Sequence, residues 1–269
     1  RADFFQWHGD VQSFAFPPGH FSHVIHAATV SSHYVSSEEN VDTVVNGTRH
    51  VLAFCQAAGV ERLLFVSSGA VYGPQPPDMP TLSETYLGGP DPTSLASAYA
   101  ESKRMAELLC VIAARQSGFA LTLARCFAFV GPYLPLDTHF AIGNFLRDVL
   151  AQRDIRILGH GQVVRSYLYA ADLAVWLWQI LCRGKTGQAY NVGSDQAISL
   201  QALADNIRLH ATAPVTVHIA EQASPDMPRQ AYVPNIDRAR ADLGLEVRVS
   251  LDQAIARTLH WHRTHHLAS

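Results

Sequence analysis

The sequence of 269 residues contains no C-x-x-C pair; its four cysteines, Cys55, Cys110, Cys126 and Cys182, stand singly in apolar stretches. That spacing argues against a disulfide framework or a thiolate zinc site and predicts buried thiols in a reducing cytoplasm. Basic charge is not in excess either. Lys and Arg number 20 against 23 Asp and Glu, a formal net charge of −3, so the chain carries no polybasic footprint for nucleic acid. No apolar run approaches the roughly 20 residues of a membrane-spanning helix. The opening RADFFQWHGD also lacks the basic, apolar and cleavage regions of a secretory signal.

What is present is an alternation of strand and helix patterns in a chain that is 48% hydrophobic and 16% charged, a composition suited to a globular enzyme. HVIHAA (23–28) is a short apolar run that ends in small residues, as a buried parallel strand does. Residues 41–59 place Val41, Val44, Val45, Val51, Leu52 and Cys55 at helical spacing and stop at Gly59. RLLFVSS (62–68) predicts a second buried strand, residues 97–118 a helix closed by Gly118, and FALTLARCF (119–127) a third strand. Such a series implies βαβ crossovers and a Rossmann-like doubly wound parallel α/β sheet.

Beyond Gly131 the pattern changes. Helices are expected at 139–152, 170–184 and 199–211, short strands in IRIL and RSYLY, a strand at 189–194, and two short helices near the end. We therefore expect a dinucleotide-binding domain over 1–131 plus the strand near 189–194, and a smaller substrate lobe over 132–269, above the carboxyl edge where open α/β sheets bind ligands. No G-x-G-x-x-G occurs: GAVYG, GGP and GHG have other spacings, and the ribose-binding acid expected about 20 residues further on is missing too. The first βαβ unit, which takes about 30 residues, is thus expected to precede the given chain, with about 40 or more residues upstream of Arg1.

Three residues could carry chemistry. Tyr99 and Lys103, four apart on one helix, share a face. A neighbouring ammonium favours a phenolate, so Lys103 is expected to lower the Tyr99 pKa and make it a general acid or base for a hydroxyl or ketone. Ser68, at the carboxyl end of the preceding strand, could bond the same substrate oxygen. In the tail HWHRTHH, His262 and His266 have i, i+4 spacing, but no carboxylate or thiolate accompanies them, so a solvated tail and no metal site are expected.

VSSGAVYG (66–73), SAYAESK (97–103) and RCFAFVGP (125–132) follow one another at the ends of successive elements. That ordered set resembles the extended short-chain dehydrogenase/reductases, specifically the nucleotide-sugar epimerase/dehydratase family. The likeness runs from residue 7 to 263. HGDVQSF resembles the segment whose Asp and next residue, here Asp10 and Val11, meet the cofactor's adenine. HVIHAA resembles the strand that sets Ala27 and Ala28 beside the cofactor. NGTRHVL, GHGQVVRSYLYAADLA, YNVGS and SPDMPRQAYVPNIDRARADLG match later segments. In these the family places Arg165 on the sugar nucleotide's diphosphate and Arg229 on a second phosphate or ribose contact. A surface Arg commonly pairs with a carboxylate instead, yet the planar fork of guanidinium suits diphosphate oxygens. The resemblance implies NAD as cofactor, with NADP as the alternative, and Tyr99 and Lys103 touching it. It also implies a nucleotide-diphosphate sugar as substrate, and a homodimer formed through the helices at 41–58 and 97–117. Leu108, Leu109, Ile112 and Ala113 give the second helix apolar surface to spare.

Departures from the family pattern narrow the chemistry. Its dehydratases carry Asp-Glu just after the Ser or Thr, and its decarboxylases a Glu; here Gly69 and Ala70 stand there. Elimination of water needs a carboxyl acid to protonate the leaving hydroxyl. Small residues at these positions match 4-epimerases and some 4-ketoreductases, which is the activity expected. A 4,6-dehydratase using another acid and a non-catalytic sugar-nucleotide-binding homologue are the alternatives. Ala128 replaces a substrate-contacting Asn, and His139 could compensate or lie on the surface. Glu84 and Glu101 are read as solvated carboxylates, and Asp172 as the cap of the helix beginning near 170.

Overall fold

The computed structural model describes residues 4–29, 36–138, 140–222, 224 and 229–265. Its first half follows the expected alternation: β1 (His23–His26), α1 (Ser37–Ala57), β2 (Arg62–Ser68), α2 (Ala98–Ser117), β3 (Ala120–Cys126) and β4 (Phe129–Val130). Next come α3 (Ala141–Leu150), β5 (Ile155–Ile157), β6 (Val164–Arg165), β7 (Leu168–Tyr169), α4 (Ala170–Arg183) and β8 (Ala189–Val192). The last stretch holds β9 (Ile198–Ser199), α5 (Leu200–Arg208), β10 (Val217–Ile219), β11 (Ala231–Tyr232), α6 (Asp237–Leu243) and α7 (Leu251–His265).

α1 begins four residues before the apolar periodicity does. Residues 37–40 are polar, but Ser36 and Glu39 form an S-x-x-E pair, and the Ser36 hydroxyl accepts from Glu39 N at 3.1 Å, satisfying an otherwise orphaned donor. α2 ends where Gly118 adopts φ +78°, the left-handed closure that glycine tolerates best. The two-residue strands β4, β9 and β11 and the three-residue β10 escape the sequence pattern because so short a run shows no period.

The chain divides into two compact units. The first holds residues up to 74, 87–126 and 177–190. Among the described residues its sheet runs β1-β2-β3-β8, with β1 parallel to β2 and β2 parallel to β3. This is an α/β fold with a Rossmann-like parallel sheet. α1 and α2 pack against each other. Val44, Val51, Leu52, Phe54 and Cys55 from α1 meet Ala106, Cys110 and Ala113 from α2, over Leu63, Phe65, Leu121 and Leu123 of the strands. Leu63, Leu64 and Phe65 are fully buried, each removing roughly 1.5–3 kcal/mol of apolar surface from water. The carboxyl end of α4 is tied to the strand starts: Arg62 donates to the Leu181 carbonyl at 2.7 Å and to the Gly184 carbonyl at 2.9 Å.

The second unit holds 75–86, 127–176 and 191 onward. α3, α5 and α7 enclose a separate core of Ile142, Phe145, Leu146, Leu203, Ile207, Ile255 and Leu259. β10 lies parallel to β5, β11 parallel to β6, β9 antiparallel to β6, and β4 parallel to β7. α7 is a 15-residue helix rather than the short one expected, and His262 is buried on it rather than in a solvated tail; His266 lies outside the described residues. The cysteines also differ in part from expectation: Cys55 and Cys110 are buried, Cys126 is half-buried and Cys182 is exposed on α4. Among the described residues no helix is long and apolar enough to cross a membrane.

Candidate active site

β2 carries its apolar residues into the interior and ends at Ser68, whose hydroxyl accepts from Ala70 N at 3.1 Å and starts a single 3-10 turn over Gly69–Tyr72. Gly73 leaves that turn at φ +69°, and a Cβ there would lie 2.1 Å from the Gly89 carbonyl oxygen, so no other residue fits. Arg104 of α2 donates to the carbonyls of Val71 at 2.9 Å and Gly88 at 3.0 Å, which holds both passing loops against the start of α2.

This local construction brings the three predicted residues together. Tyr99 sits in the first turn of α2 and has side-chain hydrogen bonding with Ser68 and with Thr29, a residue just past β1. Lys103, one turn on, is 2% exposed; its Nζ donates to the Val66 carbonyl at 2.9 Å and lies 5.0 Å from the Phe65 ring centre and 5.9 Å from that of Tyr99. Burial lowers the Lys103 pKa to about 8, opposed by the neighbouring Cys126, Cys110 and Glu107.

The expected lowering of the Tyr99 pKa is not what the geometry produces. Burial pushes the phenol up, against the smaller lowering effects of Ser68 and Thr29. The ammonium is directed at a backbone carbonyl, so desolvation of the phenolate prevails. Tyr99 is therefore held protonated at neutral pH, the form that donates to a ketone oxygen. The half-buried Cys126 beside it is raised by burial to about 12 and is an unreactive thiol.

His26, the last residue of β1, is 4% exposed and bonds Thr48 Oγ1 of α1 at 3.0 Å through Nε2. Burial, and then the Lys103 charge, lower its pKa from 6.5 to about 4. Its folded pKa lies below its unfolded value, so the stability it contributes is complete above pH 6.5 and is lost as pH falls toward 4. The loss across that window is about 3 kcal/mol. Urea unfolding at several pH values should show this slope in the wild type and its absence in His26→Gln; equal slopes would exclude His26 as the source.

The remaining predicted positions are distributed over both units. In the first, Asp10 stabilises its own turn. Its Oδ1 accepts from Gln12 N at 2.7 Å and its carbonyl from Ser13 N at 3.0 Å and Phe14 N at 2.8 Å. Val11 rests on Gly47 of α1, where a Cβ would come within 2.8 Å of Val11 Cγ1. Ala27 and Ala28 are exposed beyond the carboxyl end of β1. In the second unit, Arg165 lies on β6 opposite Tyr232 of β11, and Arg229 stands two residues ahead of β11. Arg165 donates to the Val164 carbonyl at 2.9 Å and, among the described residues, makes no ion pair; Arg229 is exposed and donates to the Met79 carbonyl at 3.1 Å. Among the described residues, neither is paired with a carboxylate.

Two carboxylates differ from expectation. Glu84 is not solvated: its side chain is 2% exposed, accepts from Asn191 N at 2.8 Å and lies 4.0 Å from Arg238. Asp172 is in the first turn of α4, yet its Oδ2 accepts from the backbone of Arg248 and Val249, both at 3.0 Å, and so anchors the approach to α7. Glu101 is half-exposed beside Arg104, as expected. His139 lies outside the described residues.

Sequence reasoning passed over Thr29, Ser67, Glu107 and Arg125. Glu107 follows Lys103 by four residues, a spacing that could have drawn notice. Its carboxylate accepts from Ser67 Oγ at 2.6 Å and from Arg125 at 3.0 and 2.7 Å.

The chain is similar to known proteins both in sequence and in fold. The chain is 30% identical over 217 residues to UDP-glucuronic acid decarboxylase 6 of Arabidopsis thaliana, an alignment covering 81% of this chain and 62% of that protein. It is 27% identical over 241 residues to UDP-glucuronic acid decarboxylase 1 of Xenopus tropicalis, covering 90% of this chain and 56% of that protein. The chain thus spans less than two thirds of the length of these curated relatives. In fold it is similar to UDP-glucose 4-epimerase of Thermotoga maritima, with a TM-score of 0.75 at 23% identity over 90% of this chain and 77% of that one. RMD of Pseudomonas aeruginosa, solved with NADPH, gives 0.77 at 22% identity over 89% and 81%. The model of the NAD dependent epimerase/dehydratase family matches residues 12–193, well over half of the sequence and all of the Ser68, Tyr99 and Lys103 constellation, and the chain belongs to that family.

Proposed function

We propose that the chain is the core of an NAD- or NADP-dependent enzyme that acts at C4 of a nucleotide-diphosphate sugar, as a 4-epimerase or 4-ketoreductase. The observation that supports this reading best is the meeting of Tyr99 with Ser68, one helical turn from a buried ammonium, with Gly69 and Ala70 where an acid for elimination would stand. The two carboxylates of α2 do not replace that acid: Glu107 is held by Arg125 and Ser67, and Glu101 lies beside Arg104.

The residues present fit the nicotinamide end of the cofactor. Lys103 makes one hydrogen bond among the described residues, to Val66, and an ammonium has three donors. Ala27 and Ala28 leave an uncrowded, exposed edge at the end of β1. When bound, the nicotinamide accepts or supplies a hydride. Ser68 holds the C4 oxygen. Tyr99 removes its proton in the oxidative direction and returns it in the reductive one, and burial favours the protonated form that starts reduction. Arg165, half-buried and without a carboxylate partner among the described residues, would hold the diphosphate, with Asp10 and Val11 at the adenine and Arg229 as a second contact.

The test is to incubate full-length protein with a panel of nucleotide sugars, with NAD and with NADPH, and to separate products by chromatography and mass spectrometry. A product of unchanged mass but new retention marks the epimerase; a gain of two hydrogens marks the reductase. Loss of water or of carbon dioxide would overturn the reading in favour of a dehydratase or decarboxylase, and no turnover would leave a binding protein.

A second copy of the chain is the partner we propose for α1 and α2. Met105, Leu108 and Ile112 form an exposed stripe on α2, at 45%, 52% and 43% exposure, and Val41 of α1 is exposed as well; Ala113, counted with them from the sequence, faces inward instead. Leu108→Glu should convert a dimer to a monomer in analytical ultracentrifugation. An unchanged sedimentation coefficient would remove this face from consideration.

A further inference from the structure

α2 meets the end of β2 at three successive helical turns. Tyr99, Lys103 and Glu107 follow at intervals of four and therefore share one face. Each engages a different residue of the run 66–68. Tyr99 bonds the Ser68 side chain, Lys103 donates to the Val66 carbonyl at 2.9 Å, and Glu107 accepts from Ser67 Oγ at 2.6 Å. All of this is interior, with Lys103 and Ser67 each 2% exposed and Glu107 and Ser68 each 8%.

The third contact has a counterion. Arg125 stands opposite Ser67 in the β2–β3 register, and its Nε and Nη2 reach Glu107 Oε1 and Oε2 at 3.0 and 2.7 Å, a two-point fork. Its guanidinium also lies 4.9 Å from the centre of the Tyr72 ring, in the turn that follows Ser68. One carboxylate thus ties together a helix, two strands and the turn beyond the candidate catalytic serine. A well-packed apolar cluster could fill the same space at no loss of stability, so what a buried charged pair adds is direction.

We propose that Glu107, backed by Arg125, is the positioning residue that sets β2 against α2 and so fixes Ser68 and Lys103 relative to Tyr99. The inference rests on the catalytic reading of those three residues given above. Glu107 is not itself an acid or base in the reaction, because Arg125 and Ser67 occupy its oxygens. Its charge matters too. The groups facing Lys103 are Tyr99, Glu107 and Cys110 of α2, His26 of β1 and Cys126 of β3. Glu107 helps keep the ammonium charged against the burial that draws its pKa to about 8.

The experiment uses full-length protein carrying Glu107→Gln, which keeps shape and an acceptor for Ser67 but removes the charge. Two readouts are taken: the Lys103 titration by NMR of labelled lysine, without substrate, and the pH profile of kcat. The Lys103 midpoint should fall, since the Glu107 charge is one of the effects that raise it. The alkaline limb of kcat should move down with it, and kcat should drop about tenfold with KM within about twofold. Glu107→Asp, which keeps the charge, should return the titration toward the wild-type value. An unchanged Lys103 midpoint in folded Glu107→Gln, or identical behaviour of the Gln and Asp variants, overturns the proposal. If Glu107→Gln does not fold, Ser67→Ala, which cuts the tie to β2 and keeps the Glu107 charge, decides by kcat: a lowered kcat with the Lys103 midpoint near the wild-type value supports it, and a wild-type kcat overturns it. Absence of turnover in the wild type would instead remove the proposed function, while the titration, which needs no substrate, would still decide the coupling.

Discussion

Tyr99→Phe in the full-length protein is expected to lower turnover by about 10²–10⁴-fold, with nucleotide-sugar affinity changed no more than a few-fold. The substitution removes a single oxygen from a residue whose ring remains packed near Lys103 Nζ, 5.9 Å from its centre. Ser68 and Thr29 lose a partner but are not left as buried charges. What disappears is the group proposed to carry the C4 proton. Because burial raises the Tyr99 pKa, the wild-type oxidative rate should also climb with pH through neutrality, as the phenolate fraction grows, and the variant should lack that dependence. Steady-state kinetics beside calorimetry with the same sugar nucleotide separates the two quantities. A variant as fast as the wild type would mean that another group moves the proton.

Arg125→Ala is expected to cost about 3–5 kcal/mol of stability, the scale for breaking a buried ion pair from one side. The pair qualifies: the Arg125 and Glu107 side chains are 18% and 11% exposed and are joined at 2.7 Å. Hydrogen bonding to Glu107 raises the Arg125 pKa despite its burial, so the guanidinium stays charged throughout the accessible range. Truncation leaves the Glu107 carboxylate, among the described residues, hydrogen-bonded to Ser67 alone. Combining Arg125→Met with Glu107→Gln removes both charges and should recover most of the stability but not kcat, which separates the structural contribution from the positioning one. Urea unfolding measures the first, and a loss under about 1 kcal/mol for Arg125→Ala would mean that water reaches the carboxylate.

Much of the site was readable because its signals are local. Tyr99 and Lys103 are four residues apart, so helix geometry alone puts them on one face, and Ser68 closes a run of buried strand residues. Thr29, Ser67 and Arg125 left no comparable trace, since each meets α2 across the fold: Ser67 and Glu107 are 40 residues apart, and Arg125 and Glu107 are 18 apart. Glu84 illustrates the same limit. It looks like any loop carboxylate until Asn191, 107 residues later, donates its backbone N–H to it.

The sequence by itself indicated the strand–helix alternation of the first half and the parallel α/β class, because periodicity is a property of neighbouring residues; its ordered motifs carried the resemblance to the family, and i, i+4 spacing put Tyr99 and Lys103 on one face. The tertiary structure decided how those groups are tuned. Burial reverses the expected shift at Tyr99, holds His26 neutral and draws Lys103 toward pH 8, and it joins Glu107 to Arg125 beneath the site. Desolvation and long-range pairing depend on what the folded chain packs around a side chain, which no local spacing encodes.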